Sequence, residues 1–300
     1  MLAKGGNMGY KAKRFRIKSF LPGLLMILPS LCGVIVFVVV PFVRAVYYSF
    51  TSGMENGAFV GFLNYISLFQ SASFATALGN TLRFYLVAFP LIIILPLTFA
   101  IVLMPHKRLA RLFDGAVYGS LLIPSATLML FLDLLFSEHG FLSDTIARIF
   151  DFSENNLYTT PFSFAILVLL YLFKYGGYNY LLYSVAVIKV PKEFYEEAKI
   201  NGASKWQMFW YVTLPSILPM VGISVFVSLI SSYKVYREAF LVGGYYPHKD
   251  IYLIQHFINN NFVNMNYNRL CCVSVIMVFT LGVFLALVYS GVVLWRRTRK

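Results

Sequence analysis

The residues of this chain that could do chemistry stand in unusual company. Lys174 lies inside an apolar run, with Tyr171, Tyr175 and Tyr178 within a turn or two of it. If that run crosses a membrane, a charge in its middle costs several kcal/mol unless it meets water or a partner. Lys174 therefore either faces a polar cavity or pairs with a carboxylate, and Asp133 in a neighbouring apolar run is one such carboxylate. The tyrosines have two readings. Facing a cavity, each could offer its ring face and hydroxyl to a polar solute; otherwise they pack a bundle and anchor it at the interface. The pair Gly176-Gly177 in the same run permits a bend or a close helix approach. A second polar patch runs from Asn259 to Asn268 and mixes asparagine with aromatics. It suits sugar contact, but asparagine also favours ordinary capped turns. His106, His139, His248 and His256 form no metal-ligand spacing, and the sequence has no GxxxxGK[ST] phosphate loop. Cys32, Cys271 and Cys272 all fall in apolar runs and read as small packing residues rather than a disulfide framework.

The most structured polar stretch is PKEFYEEAKINGASKWQMFWYVTLPSILP, residues 191–219. Pro191 can open a helix at its first position. Glu193, Glu196 and Glu197 follow in the early turns, where the helix dipole favours them, with Lys192 and Lys199 as partners at spacing three or four. Gly202 permits a reversal, because glycine tolerates positive φ. A second helix can begin at Ser204, with Phe209, Trp210 and Val212 on an apolar side, and Leu214-Pro215 leads into the next apolar run. The pattern is helix, turn, helix. It suits either docking into a cleft on a partner or an ordinary interfacial hairpin.

These residues must be positioned by elements that lipid solvates. The 300 residues are 59% hydrophobic and only 12% charged, with a mean hydropathy of +0.72. A soluble domain usually carries about a quarter charged residues. Six apolar runs lie near 21–50, 78–104, 114–136, 161–188, 212–235 and 270–295. Each is long enough for a membrane helix, which needs roughly 20 residues, and too continuous for an alternating barrel strand. The expected fold is an all-α integral membrane bundle of six transmembrane helices. The net charge of +13 could suggest nucleic acid, but most basic residues fall on one side of a six-span topology. They precede the first run, lie between runs two and three and between four and five, and end the chain. Basic residues stay cytoplasmic, so both termini are expected inside. Residues 1–19 form a basic tail suited to anionic headgroups, 20–300 the membrane domain, and 189–211 a cytoplasmic loop. The long apolar stretch of the first run and its lack of a small-residue cleavage site argue against a removed signal peptide.

The 191–219 segment resembles the EAA loop of permease subunits of binding-protein-dependent ABC importers. The matching positions are Glu196, Glu197, Ala198, Gly202, Leu214 and Pro215. Glu197 stands where the family usually has alanine, and Asn201 where it often has aspartate. The resemblance extends along the chain: Pro41 and Tyr48-Ser49-Phe50 in the first run, FVGFLNYISLF at 59–69, Asn80-Thr81-Leu82, Leu122-Ile123-Pro124 and Gly243-Gly244. Together these are similar to the larger type of sugar permease, as in the maltose and glycerol-phosphate importers.

The resemblance implies a type I importer fold in a bacterial cytoplasmic membrane. It implies a second permease subunit, two ATP-binding subunits docked on the EAA loops, an extracytoplasmic solute-binding protein, and a sugar or oligosaccharide substrate. ATP and magnesium would belong to the ATPase partners, leaving this chain without catalytic residues or cofactor. Positions matching the family's sugar contacts are Tyr171, Lys174, Tyr175, Tyr178, Val227, Ile230 and Ser231. If Lys174 faces the cavity, an anionic sugar would fit, helped by Lys234 and Arg237. Two alternatives stay open: an ABC permease for another solute, and an ion-driven secondary transporter. The latter would show inverted repeats and paired intramembrane acids, and neither is evident in the sequence. A membrane enzyme would need a convergent catalytic set, which is not evident either.

Overall fold

The computed structural model describes residues 21–298, apart from 55–56, 139 and 151–156. The basic tail 1–19, His139, Arg299 and Lys300 lie outside the described residues. Within them the structure is helical, with one isolated bridge between Thr51 and Phe59.

The first apolar run becomes α1 (Leu21–Val34) and α2 (Val40–Ser49), joined by a π-helical turn at Ile35–Val39 just before Pro41. A short α3 (Leu63–Phe69) leads to α4 (Ala72–Leu103), a long span that carries Pro90 and Pro96 without ending. Next come α5 (Lys107–Leu122), α6 (Ser125–Phe136) and α7 (Ser143–Phe150). The fourth run is α8 (Ser163–Ile188), followed by α9 (Lys192–Ile200) and α10 (Lys205–Met208). A second π-helical stretch, Phe209–Thr213, runs into α11 (Leu214–Lys234), which continues almost directly as α12 (Tyr236–Gly243). The chain closes with α13 (Ile254–Val263) and α14 (Tyr267–Thr298).

Among the described residues, five helices are long and apolar enough to cross a membrane, and α5 with α6, taken together as one broken span, would make six. Here the structure corrects the sequence. The run at 114–136 is not one helix; α5 and α6 meet at 105° across Ile123-Pro124. Proline cannot donate to the helix ladder and clashes with the carbonyl one turn earlier. It also drives the preceding residue out of the helical region, and Ile123 has ψ 121°. The pair Gly176-Gly177 does the opposite. α8 runs straight through it, and the missing side chains admit neighbours: a Cβ on Gly177 would stand 2.9 Å from Val117 Cγ1, and one on Gly176 3.5 Å from Ile92 Cδ1. Of the two roles open to these glycines, close approach is the one used.

α8 is the central post. Phe84, Ala88 and Ile92 of α4 pack with Phe164, Val168 and Tyr171 of α8 in one buried cluster. Further along, Leu97 and Ile101 meet Val187 and Val190, so α4 and α8 run in the same direction. α11 returns antiparallel, with Ile217 beside Val187 and Val235 beside the start of α8. α14 runs alongside α4: Cys272 and Val273 pack with Phe74 and Ala77, and Phe284 meets Phe89 at 5.8 Å between ring centroids. Residues Leu25 to Val43 bury almost none of their surface against the rest of the chain. Lipid or another subunit must solvate them.

Candidate functional site

The polar segment after α8 folds as its sequence implies. α9 begins at Lys192, with Pro191 one position outside it as the cap. Glu193 sits in its first turn and Lys199 in its last, each complementing the helix dipole. Gly202 ends the helix in the left-handed region at φ 75°. The Ala203 N–H donates to the Ala198 carbonyl at 2.9 Å and the Gly202 N–H to the Lys199 carbonyl at 2.9 Å. This pairing satisfies carbonyls that the helix end would otherwise leave open. Two residues on, Ser204 caps α10. Its Oγ accepts from the Gln207 N–H at 3.2 Å, and the Gln207 side chain accepts from the Ser204 N–H at 2.8 Å. Glu196 and Glu197 are exposed, Ala198 is partly covered, and Gly202 has open space around it. Leu214 and Pro215, both half-buried, start α11. The result is a stiff, capped knuckle that presents acids at Glu193, Glu196 and Glu197, and rings at Phe194, Trp206, Trp210 and Tyr211.

The knuckle is tied to the two spans that flank it. Tyr195 and Thr213 join their hydroxyls at 3.0 Å across its base. Deeper in, the Tyr183 hydroxyl donates to Ser224 Oγ at 2.6 Å, and Asn179 Nδ2 donates to Ser228 Oγ at 2.7 Å and to the Ile92 carbonyl at 3.0 Å. Tyr171 donates to the Ser228 carbonyl at 2.9 Å. The small serines of α11 let its backbone approach α8 and accept these bonds, as small and polar residues do between membrane helices.

Mid-way along α8 lies a buried charge junction. Lys174 does not pair with Asp133. Its Nζ is 3.0 Å from Oε1 of Glu238 in α12, and Ser125 Oγ, at the first position of α6, donates to the same oxygen at 2.8 Å. Lys174 and Ser125 also touch directly. Glu238 is 2% exposed and Lys174 18%. Glu238 stands just past the end of the apolar run of span five, too far along the chain for spacing to reveal its partner.

The other path candidates scatter. Tyr171 is fully enclosed, edge-on to Phe84 at 5.3 Å, and Ser231 is buried as well. Tyr175 and Val227 are half-covered, while Tyr178 and Ile230 are open. Helical spacing places Tyr171 and Tyr178 on one face, but Phe84 of α4 and Ser228 of α11 pack on Tyr171 while Tyr178 stays open. The Asn-rich patch proves to be the end of α13 and the start of α14. Asn260 Nδ2 donates to the Tyr245 carbonyl at 3.0 Å, Asn261 to Phe257 at 2.8 Å, and Asn268 to Tyr48 at 3.1 Å. These side chains brace the fold.

A profile of one family, binding-protein-dependent transport system inner membrane component, matches residues 92–299. This chain belongs to that family. The permease is 30% identical over 225 residues to the arabinooligosaccharides transport system permease protein AraP of Halalkalibacterium halodurans, covering 72% of this chain and 70% of that one. It is 27% identical to the trehalose/maltose transport system permease protein MalF of Thermococcus litoralis, over 92% of this chain and 94% of that one. Among solved structures, a chain of a bacterial ABC transporter that imports the acidic polysaccharide alginate superposes with a TM-score of 0.73. The match covers 95% of the permease and 98% of that chain at 22% identity, a likeness of fold. The permease is thus a multi-pass inner-membrane component with the importer permease fold. The family match also spans both halves of the charge junction, whose acidic partner the residue pattern alone did not reveal.

Proposed function

We propose that this permease is one membrane subunit of an ATP-driven importer of sugars or oligosaccharides, working with a second permease, two ATPase subunits and an extracytoplasmic binding protein. The observation that carries the reading is the capped knuckle at residues 191–208, held between two spans with its acids and rings exposed. Glu196, Glu197, Ala198 and Gly202 form the surface that an ATPase subunit grips, and Leu214 and Pro215 pass its movement into α11. Both termini and the knuckle then lie on the cytoplasmic side, as the distribution of basic residues requires. ATP and magnesium are bound by the partner ATPases, because this chain has no phosphate-binding loop of its own. The sugar class is supported by the relatives, whose names specify oligosaccharides and disaccharides. Tyr178 and Ile230, the candidates with open surface, line the path together with half-covered Tyr175 and Val227 and the exposed edge of Lys174. Because Glu238 already balances Lys174, nothing at this level restricts the substrate to anionic sugars.

The test is Gly202→Asp. A non-glycine residue at φ 75° is strained by about 1–2 kcal/mol, and the new carboxylate intrudes on the docking surface. The variant is expected to insert normally and to lose its ATPase subunits on purification. Gly202→Asn, which tolerates the left-handed region, should retain them. Full ATPase recovery with Gly202→Asp would count against the docking role.

A further inference from the structure

The junction of Lys174, Ser125 and Glu238 joins three elements that are distant in sequence. Ser125 is the first residue of α6, just beyond the 105° break of the third span. Lys174 lies mid-way along α8. Glu238 belongs to α12, which meets α11 at Val235 and ends at Gly244, where φ is 64°. One of the three elements therefore starts at a break in the helical path, the second carries span five on to its end at Gly244, and the third is the central post. We propose that the junction is a latch: it holds the broken third span and the helix after the fifth against the fourth, and its release lets them part.

The energetics suit a latch better than a structural weld. A buried ion pair gains little net stability, since desolvation offsets the attraction, yet it strongly favours the one arrangement in which both charges are matched. Both close contacts fall on Oε1 of Glu238, and the Tyr175 hydroxyl interacts with the same carboxylate. Lys174 keeps one edge exposed. Water or a polar solute arriving on that edge can solvate the ammonium group as Glu238 withdraws, so separation need not strand a cation in lipid. Ser125 reports on both partners at once, because its hydroxyl touches each of them.

The experiment rests on the proposed function only in using the assembled transporter, and co-purification of an ATPase with the unmodified chain checks that reading separately. Spin labels are placed at Phe131→Cys in α6 and Leu241→Cys in α12, both exposed positions, with Cys32, Cys271 and Cys272 replaced by alanine. Distances are read by pulsed electron resonance in nucleotide-free complexes in lipid nanodiscs. The parent should give one dominant distance. The doubly neutral variant Lys174→Met/Glu238→Gln leaves no orphaned charge and should add a longer distance, shifting the population ratio on the order of tenfold. The swapped pair Lys174→Glu/Glu238→Lys should return most of the population to the parent distance. A single parent-like distance in the doubly neutral variant would overturn the latch, as would a swapped pair that folds and assembles but behaves like the neutral one. Should the swapped pair fail to assemble, the neutral variant decides alone.

Discussion

His256 shows how much one residue's surroundings alter its chemistry. It is fully buried in α13, edge-on to Tyr236 at 4.8 Å and stacked on Tyr252 at 5.7 Å. Nδ1 accepts the Leu253 N–H at 3.1 Å, while Nε2 has no partner. Burial disfavours the charged ring and lowers its pKa from 6.5 to about 4. With the folded pKa depressed, the unfolded chain binds the proton first as pH falls. Stability is therefore complete above 6.5 and is lost progressively down to about 4. The loss should reach about 2 kcal/mol near pH 5. Thermal unfolding of the detergent-solubilised chain should show a lower midpoint at about pH 5 than at about pH 7, and His256→Leu should flatten that dependence. An unchanged slope in the variant would mean that other groups carry it. In the sequence this histidine was visible only as a failure to match a metal pattern, because nothing local marks its burial. Gly202 was legible for the opposite reason: its signal, a glycine after an acid-first helix, is entirely local. Lys174 stood between the two. A charge in an apolar run demands a partner, but the chain supplies several carboxylates, and only packing selects Glu238 over Asp133.

At the scale of elements, the spans followed from apolar length, and their breaks from proline only where a neighbour permitted. Pro90 and Pro96 lie inside the continuous α4, whereas Pro124 separates α5 from α6. The residue type is the same; the packing around each one differs, and sequence pattern does not contain it. The loops at the end of the bundle away from the knuckle held the most hidden structure. Asn80 Nδ2 donates to the Tyr252 carbonyl at 3.0 Å, and Thr81 Oγ1 accepts the Ile254 N–H at 2.9 Å, which fastens the segment after α12 onto α4. Asn64 and Asn268 together clamp the C-terminal end of the first span. Asn64 reaches the Ser49 and Thr51 carbonyls at 3.0 and 2.8 Å, and Asn268 the Tyr48 carbonyl at 3.1 Å. Since almost all residues from Leu25 to Val43 stay exposed, this clamp is expected to matter more than an ordinary surface hydrogen bond. Asn268→Leu leaves carbonyls without their donor, at a cost of about 1–3 kcal/mol. Limited proteolysis in the 51–62 loop should become faster in that variant, while ATPase co-purification is retained. Equal cleavage rates would show that lipid or a partner subunit, rather than the clamp, holds the first span.

For the whole molecule, the sequence carried the class and the structure carried the linkages. A lipid-solvated bundle was legible from composition alone, because 12% charge cannot clothe 300 residues in water. The knuckle was legible because its caps are local. What stayed hidden is how the knuckle joins the rest. The Tyr183–Ser224 and Asn179–Ser228 rungs lace α8 to α11, and the Tyr195–Thr213 rung ties α9 to the stretch before α11, between residues 18 to 49 positions apart. Those contacts make the two spans and the segment between them one mechanical piece. The exposed first span and the exposed knuckle both ask for partners. The central claim is therefore an assembly, and the most direct measurement is to isolate the tagged permease gently from its native membrane and identify what comes with it by mass spectrometry. The account predicts a second permease and a P-loop ATPase in stable association. A chain that repeatedly emerges alone, from membranes in which those subunits are detectably expressed, would contradict it.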